Sequence, residues 1–210
     1  MIRAESRSLF LAALALVVVT TAAYFNSFSV PFLFDDLPSI VANPTIRRFA
    51  DALHPPPNGA TVAGRPLLNL SFALNYAIGG TRVTSYHVFN LAIHVLAALT
   101  LFGVVRRTVL LPLFHDRFTP GATGLALSVA LLWSIHPLQT ESVTFLSQRA
   151  ESLAALFYLL TLYAFLRSAN CHPMDDKPSW AAEGKWAILA WTSALAGMAS
   201  RPDTGTFCSV

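Results

Sequence analysis

Long apolar runs alternate with short polar stretches along this chain, and their lengths predict membrane-spanning helices. A helix needs roughly 20 predominantly apolar residues to cross a bilayer. The runs at 8–25 and 88–105 come close to that length, and shorter runs follow at 121–135, 153–166 and 186–199. The pattern therefore predicts an all-α, polytopic transmembrane protein. It divides into a first span (1–25), a long loop (26–87), spans two to four (88–167), a polar loop (168–185) and a fifth hydrophobic segment with its tail (186–210).

The positions of the basic residues predict how these spans are oriented. Lys and Arg flank the runs on one side of the predicted bilayer: Arg3, Arg7, Arg106, Arg107, Arg117, Arg167 and Lys185. Cytoplasmic ends carry such an excess, so the N-terminus and the loop 168–185 are predicted to be cytoplasmic, and the loops 26–87 and 136–152 extracytoplasmic. The first run also fits a cleavable signal peptide, and both interpretations place the following residues outside.

The loop 26–87 contains most of the turn-forming sequence. Prolines in "HPPPNG", 54–59, exclude a regular helix there. The stretch 43–54 predicts a short amphipathic helix, and 66–78 predicts a second one that starts at Pro66 and ends at Gly79. The second has too few apolar residues for a span, so it is expected to lie at the membrane interface or to pack on the spans.

Composition and charge support the membrane assignment and exclude other classes. The chain is 54% hydrophobic and 12% charged, whereas soluble domains have about 25% charged residues. The net charge is +3, and the basic residues are scattered along the chain without forming a cluster typical of nucleic-acid binding. Cys171 and Cys208 lie far apart without metal-type spacing, so no disulfide framework is predicted.

Two groups of polar residues are candidates for chemistry. Asp35 and Asp36 follow the first span directly, and Pro38 nearby also fits a simple turn or helix cap. Neighbouring residues point in different directions, so one carboxylate is expected to meet a substrate and the other to orient it or bond locally. In the second predicted span, His87, Asn90 and His94 share a helical face, and His94 is expected to bond to another helix.

A third polar group begins at Pro137. As one helix from 137 to 167, this segment measures roughly 45 Å at about 1.5 Å per residue, longer than a bilayer core of about 30 Å. Either its first turns form an interfacial helix at about 137–152, or the helix bends. On a continuous helix, Glu141 and Arg149 share the side that faces Asp35.

Four sequence blocks, in matching order, resemble one known family. They are "FDD", "GRPLLNLSFALNYAIGG", "YHVFNLAIHVLAAL" and "HPLQTESVTFLSQRAESLAALFYLLTLYAFLR". Over about residues 20–170 the chain resembles the membrane half of the transmembrane and tetratricopeptide-repeat O-mannosyltransferases and their bacterial relatives, glycosyltransferases of the GT-C fold. The resemblance implies a multi-pass protein of a bacterial inner membrane or the endoplasmic reticulum membrane. It also implies transfer of a hexose, such as mannose, from a polyprenyl-phosphate donor to a Ser, Thr or glycan hydroxyl of an exported acceptor.

The resemblance also implies roles for particular residues. The catalytic pair is Asp35, as the base, with Asp36 beside it. From their positions, Arg65 and Arg149 are the expected contacts to the lipid phosphate, with His87 and Glu141 in support. Arg65 also fits a contact to a carboxylate near Asp35 or to lipid headgroups, and Glu141 with Arg149 also fits an ion pair that only holds helices together. No cofactor is required, although paired carboxylates are able to hold a divalent metal.

Two alternatives stay open at this point. Polar residues within spans and the short third span also fit a transporter or ion-pathway subunit, whose acids would lie near the bilayer midplane. The family usually continues with a Lys-Glu pair and another hydrophobic helix, where this chain has "RPDTGTFCSV". The sequence therefore also predicts a truncated or frame-shifted chain near Arg201, which would act as an inactive fragment or scaffold.

Overall fold

A computed structural model of the chain describes residues 2–111, 114, 119–169 and 180–199. Helices make up its regular structure, and the described residues contain no strand. The helices are α1 (Ile2–Tyr24), α2 (Phe49–Ala52), α3 (Pro66–Gly79), α4 (Val83–Val109), α5 (Ala122–Ser134), α6 (Thr140–Thr144), α7 (Arg149–Ala169) and α8 (Trp180–Ala199). The loop around Asp175 and Asp176, both cysteines and the C-terminal stretch after Ala199 lie outside the described residues.

Three segments among the described residues are long and apolar enough to cross a membrane. They are Glu5–Ser29, Val83–Val109 and Leu146–Ser168, and a bent pair, Thr119–Ser134 with Pro137–Thr144, makes a fourth if it counts as one span. The chain is therefore an all-α, multi-pass membrane protein, as the apolar pattern predicted. Large apolar side chains on α1, α7 and α8 point outward, as lipid-facing side chains do.

Helix α4 lies at the centre of the bundle and packs against α1, α5 and α7. Small residues permit the close approach, because Ala98 of α4 and Ala126 and Ala130 of α5 are all buried at one contact. Gly103 faces α7 so closely that a Cβ there would lie 2.8 Å from the Tyr163 ring. With 27 residues, α4 measures roughly 40 Å, and it begins five residues before the predicted start of the second span.

The short helix α5 ends at a bend of 55° that neighbouring spans stabilise. The Ser134 carbonyl at its end accepts hydrogen bonds from the Tyr24 hydroxyl (3.0 Å) and from His94 Nε2 (2.9 Å). Two spans thus satisfy a carbonyl that the interrupted helix leaves without its own partner. The interhelical hydrogen bond predicted for His94 is confirmed, and the His94 ring also stacks on Trp133.

Of the two arrangements left open for residues 137–167, the structure shows the interrupted one, because the chain breaks at Phe145. A 3-10 turn (Pro137–Gln139) leads into α6, Phe145 is extended, and a second 3-10 turn (Leu146–Gln148) leads into α7. The break has a tertiary cause. A continuous helix would direct the Ser147 amide to the carbonyl four residues earlier, but this amide donates instead to Asp36 Oδ1 at 2.8 Å.

The short helices of the loop after α1 are only partly as predicted. Helix α3 starts at Pro66, as predicted, and Gly80 follows it with a φ of 60°, in the left-handed region. The predicted helix at 43–54 splits instead into a 3-10 turn (Thr45–Arg47) and α2, because Arg48 is extended. The split buries Ile46 and Ala52 and leaves the other apolar side chains of that stretch exposed.

Candidate active site

A tight turn presents the two aspartates in opposite directions. The Asp36 amide donates to the Leu33 carbonyl (2.9 Å), and the Leu33 amide donates back to Asp36 Oδ2 (3.1 Å). Phe34, between them, has a φ of 43°, which is strained for a bulky side chain. Asp35 lies exposed on this turn, whereas Asp36 is 1% exposed. The expectation that the two carboxylates point in different directions is confirmed.

The Asp36 carboxylate is a structural anchor between the first loop and the helix break. One oxygen accepts the Leu33 amide and the other accepts the Ser147 amide. Burial raises the pKa of the Asp36 carboxyl above its ordinary value, and these two amides and nearby His87 oppose the rise. Because the folded-state pKa is raised, ionisation of Asp36 costs stability as the pH rises through that pKa.

Arg149 is fully buried in the polar cluster, which corrects the predicted placement at the outer interface. Arg149 is 0% exposed, and its guanidinium carbon lies 4.5 Å from the centre of the Phe72 ring and 4.9 Å from that of Phe89. Its nitrogens donate to Asn90 Oδ1 and Asn75 Oδ1, both at 2.6 Å, and also to carbonyls of α3 and α4. Arg149 therefore holds α3, α4 and α7 together and does not lie at an accessible interface.

His87 joins the same buried cluster from the first turns of α4. Its Nε2 donates to the Val30 carbonyl at 2.9 Å, which fixes the chain just after α1. The second ring nitrogen, Nδ1, and the amide nitrogen of Asn90 are buried without a partner among the described residues. His87 is 1% exposed and lies close enough to Asp36 and Arg149 to interact with their charges.

Arg65 lies at the start of α3, on the loop side of the bundle. Its Nη1 donates to the Thr61 carbonyl at 3.2 Å, and its Nε is buried without a partner in the part of the chain that the structure describes. The segment before it is tied to the segment after the aspartates, because Ser39 bonds to the Gly59 carbonyl and the Thr61 amide. The loop that carries Arg65 is thus held against the loop that follows Asp35.

Glu141 lies exposed on the short helix α6. Because the chain breaks at Phe145, Glu141 and Arg149 do not share one side of a single helix, and that expectation is wrong. The candidate residues therefore fall into two sets. Asp36, His87 and Arg149 form a buried cluster, whereas Asp35 and Glu141 are exposed and Arg65 is half-buried.

Buried asparagines are the main feature that the sequence did not reveal. Asn75 Oδ1 accepts a hydrogen bond from Arg149. Asn43 Nδ2 donates to Asn69 Oδ1 at 2.8 Å, and this bond holds the first loop together. Amide side chains within apolar stretches are a usable signal, since a buried amide needs partners. No three His, Cys, Asp or Glu side chains of the described residues are placed to hold a metal ion.

The helical bundle and the hydrogen bonds of Arg149 together define the class of protein. It is an all-α membrane protein in which a buried arginine ties the loop after the first span, through α3, to the membrane-spanning helices. Protein O-mannosyl-transferase Tmtc2 of Drosophila melanogaster is 32% identical to the chain over 178 residues, which is 80% of this chain and 18% of that protein. The human protein O-mannosyl-transferases TMTC1 and TMTC3 are 32% and 30% identical over 76% and 73% of this chain, respectively, and 18% and 16% of their own length. No family model and no solved structure matches the chain.

The chain belongs to the transmembrane and tetratricopeptide-repeat O-mannosyltransferase family, which confirms the family predicted from its sequence blocks. It spans less than a fifth of the length of these three relatives.

Proposed function

We propose that this chain is the sugar-transferring membrane part of a glycosyltransferase. It moves a hexose from a polyprenyl-phosphate donor to a Ser, Thr or glycan hydroxyl of an exported acceptor, on the extracytoplasmic side. The observation that carries the proposal is the turn at 33–36, which keeps Asp35 exposed while Asp36 is anchored inside. Mannose is the first sugar to test, because the relatives are named O-mannosyl-transferases.

Asp35 is the proposed base. Transfer to a hydroxyl requires that its proton leave as the new bond forms, and a carboxylate within hydrogen-bond reach accepts it. A base needs access to the acceptor and freedom from internal partners; among the described residues, the Asp35 side chain meets both conditions and Asp36 meets neither. Asp36 is the proposed positioning residue, because it fixes the turn on which Asp35 lies.

Arg65 is the proposed contact to the lipid phosphate. The Arg65 residue is half-buried, and its guanidinium has donors left over after the bond to Thr61. The planar fork of arginine suits phosphate oxygens. Arg149 has no such access, so we assign it a positioning role together with His87. Glu141, exposed on α6, is assigned to the acceptor side of the site.

Sugar transfer by the purified chain in lipid nanodiscs tests the function. With radiolabelled polyprenyl-phosphate mannose and a Ser/Thr-rich peptide, we expect labelled peptide. Arg65→Gln should raise the KM for the donor about tenfold, since one charge-assisted hydrogen bond is worth about 1.5 kcal/mol or more. Arg48→Gln, an exposed arginine of the same loop, is the matched control. No transfer and no donor binding by the wild-type chain would overturn the proposal.

Sidedness is tested by cysteine labelling in whole cells. In a background with Cys171 and Cys208 changed to Ser, Leu33→Cys should react with a membrane-impermeant maleimide from outside. Gly121→Cys, before α5, should react after permeabilisation, because Leu33 and Gly121 lie at opposite ends of the spans. A side chain at Gly121 meets no neighbour, so this variant should fold. Labelling of Gly121→Cys but not Leu33→Cys in intact cells would reverse the proposed orientation.

A further inference from the structure

A groove runs along the outside of α4, at the opposite end of this helix from His87 and the aspartates. It lies between α1 and α7, which both pack against α4, and has a volume of about 520 Å³. Its wall extends from Leu96, in the middle of α4, to Arg106 and Arg107 near the last turn. Leu96 and Phe10 on this wall are more than half exposed, so the groove is open toward the surrounding lipid.

The length of the groove matches the depth of one bilayer leaflet. From Leu96 to Arg107, α4 rises roughly 16 Å at about 1.5 Å per residue, and half of a hydrocarbon core of about 30 Å is about 15 Å. Most side chains along the groove are apolar. The Thr100 hydroxyl is used within the helix, because it donates to the Leu96 carbonyl at 2.7 Å. The groove is therefore suited to one extended hydrocarbon chain.

The basic end of the groove carries a positive charge that no described residue balances. Arg106 is neutralised, because its Nη2 donates to Glu5 Oε1 at 2.7 Å and its Nε donates to the Thr123 hydroxyl at 3.3 Å. Arg107 has no ion pair or side-chain hydrogen bond within the described ranges, and its guanidinium carbon lies 5.3 Å from the centre of the Tyr163 ring. The described wall of the groove contains no Asp or Glu. An anion at this end would therefore meet Arg107 without a competing carboxylate.

Aromatic side chains indicate the depth of this end in the membrane. The Trp186 ring of α8 meets the Tyr163 ring edge to face, with centres 6.1 Å apart, and the guanidinium of Arg167 lies 4.5 Å from the Trp186 ring centre. Tyr and Trp are enriched at the level of the lipid headgroups. Arg107, beside Tyr163, therefore lies at the level of lipid phosphates, and the rest of the groove lies at the level of the acyl chains.

We propose that this groove binds one acidic phospholipid, with its phosphate on Arg107 and one acyl chain along α4. A guanidinium donates two parallel hydrogen bonds to phosphate oxygens, and basic pockets between membrane helices bind acidic headgroups. A zwitterionic phospholipid adds a cation that Arg107 repels and that finds no carboxylate on the described wall. The inference goes beyond sugar transfer, because the candidate site residues contribute nothing to this groove.

Native mass spectrometry of the full chain in detergent tests the site by counting bound lipids. Phosphatidylglycerol should bind as one retained lipid, about fivefold more tightly than phosphatidylcholine with the same acyl chains, since one arginine near a charged headgroup contributes about that factor. Arg107→Gln should weaken the binding of phosphatidylglycerol about tenfold and remove the preference between the two lipids. Arg82→Gln, an exposed arginine before the other end of α4, is the matched control and should bind as the parent does.

Two further arms separate a lipid site from a simple anion site. Thr100→Trp fills the middle of the groove without changing its charge and should remove the retained lipid, whereas Thr100→Ala leaves the groove open and should keep it. Glycerol phosphate, which lacks acyl chains, should not displace phosphatidylglycerol at equal concentration. The melting temperature of each variant without added lipid shows that it is folded. Equal affinity for the two lipids, unchanged binding in Arg107→Gln or in Thr100→Trp, or displacement by glycerol phosphate would overturn the site.

Discussion

Arg149→Met is expected to lower the free energy of unfolding by about 3 kcal/mol, because it leaves two buried amide oxygens without donors. Methionine keeps much of the side-chain volume, so the cavity is small and the lost hydrogen bonds dominate. Asn75 Oδ1 and Asn90 Oδ1 each lose a 2.6 Å bond, and three helices lose their common partner. Thermal or denaturant unfolding in a single detergent measures the change.

Two further variants identify the cause. Arg149→Lys keeps the charge but not the planar fork, so it should lose most of the same stability. Replacing Asn75 and Asn90 with Leu in the Arg149→Met chain should recover much of the loss, because apolar replacement of both partners is nearly neutral. Arg82→Met, an exposed arginine before α4, is the control and should change little. Wild-type stability in Arg149→Met would show that the arginine network does not hold the bundle.

The arrangement of helices could be predicted from the sequence where it depends on local composition. The apolar runs predicted α1, α4 and α7, since span length is set by bilayer thickness and not by neighbours. Pro66 fixed the start of α3, because proline at a first helical turn loses no hydrogen bond. The extra turn at the start of α4 was missed, because Tyr86 and His87 are polar but still helical.

The break at Phe145 could not be predicted locally. No proline or glycine interrupts "TESVTFLSQRAES", and its pattern is compatible with a continuous helix. The cause lies 111 residues away, where the Asp36 carboxylate takes the Ser147 amide out of the helical pattern. Since the turn that presents Asp35 depends on the same carboxylate, one long-range contact shapes both halves of the candidate site.

The burial of Arg149 illustrates the same limit. Taken alone, an arginine at the end of a span predicts a headgroup contact, because long basic side chains extend to the interface. Its real partners come from two other stretches, Ser71 to Asn75 and Tyr86 to Asn90. They are brought together by the packing of α3 against α4. The spacing of these residues along the sequence does not predict that they lie together in the fold.

Asp35→Asn is expected to reduce sugar transfer by about 10²- to 10⁴-fold, the contribution usual for a general base. The amide keeps the shape of the side chain but does not accept the proton of the acceptor hydroxyl. Because Asp35 is exposed and is not the anchor of its turn, the free energy of unfolding should change by less than about 0.5 kcal/mol. Single-turnover transfer and thermal unfolding on the same preparation measure both quantities.

Asp36→Asn should give the reverse result, and the contrast separates the two adjacent carboxylates. The Leu33 and Ser147 amides donate to different oxygens of Asp36, and asparagine replaces one of these oxygens with an NH2 donor, so one N–H loses its partner. That loss costs about 1 to 3 kcal/mol of stability, and transfer should fall only as far as the turn that carries Asp35 loosens. Asp51→Asn, exposed on α2, should change neither quantity. Full transfer activity in Asp35→Asn would remove the base from the proposed mechanism, whereas wild-type stability in Asp36→Asn would remove the anchor.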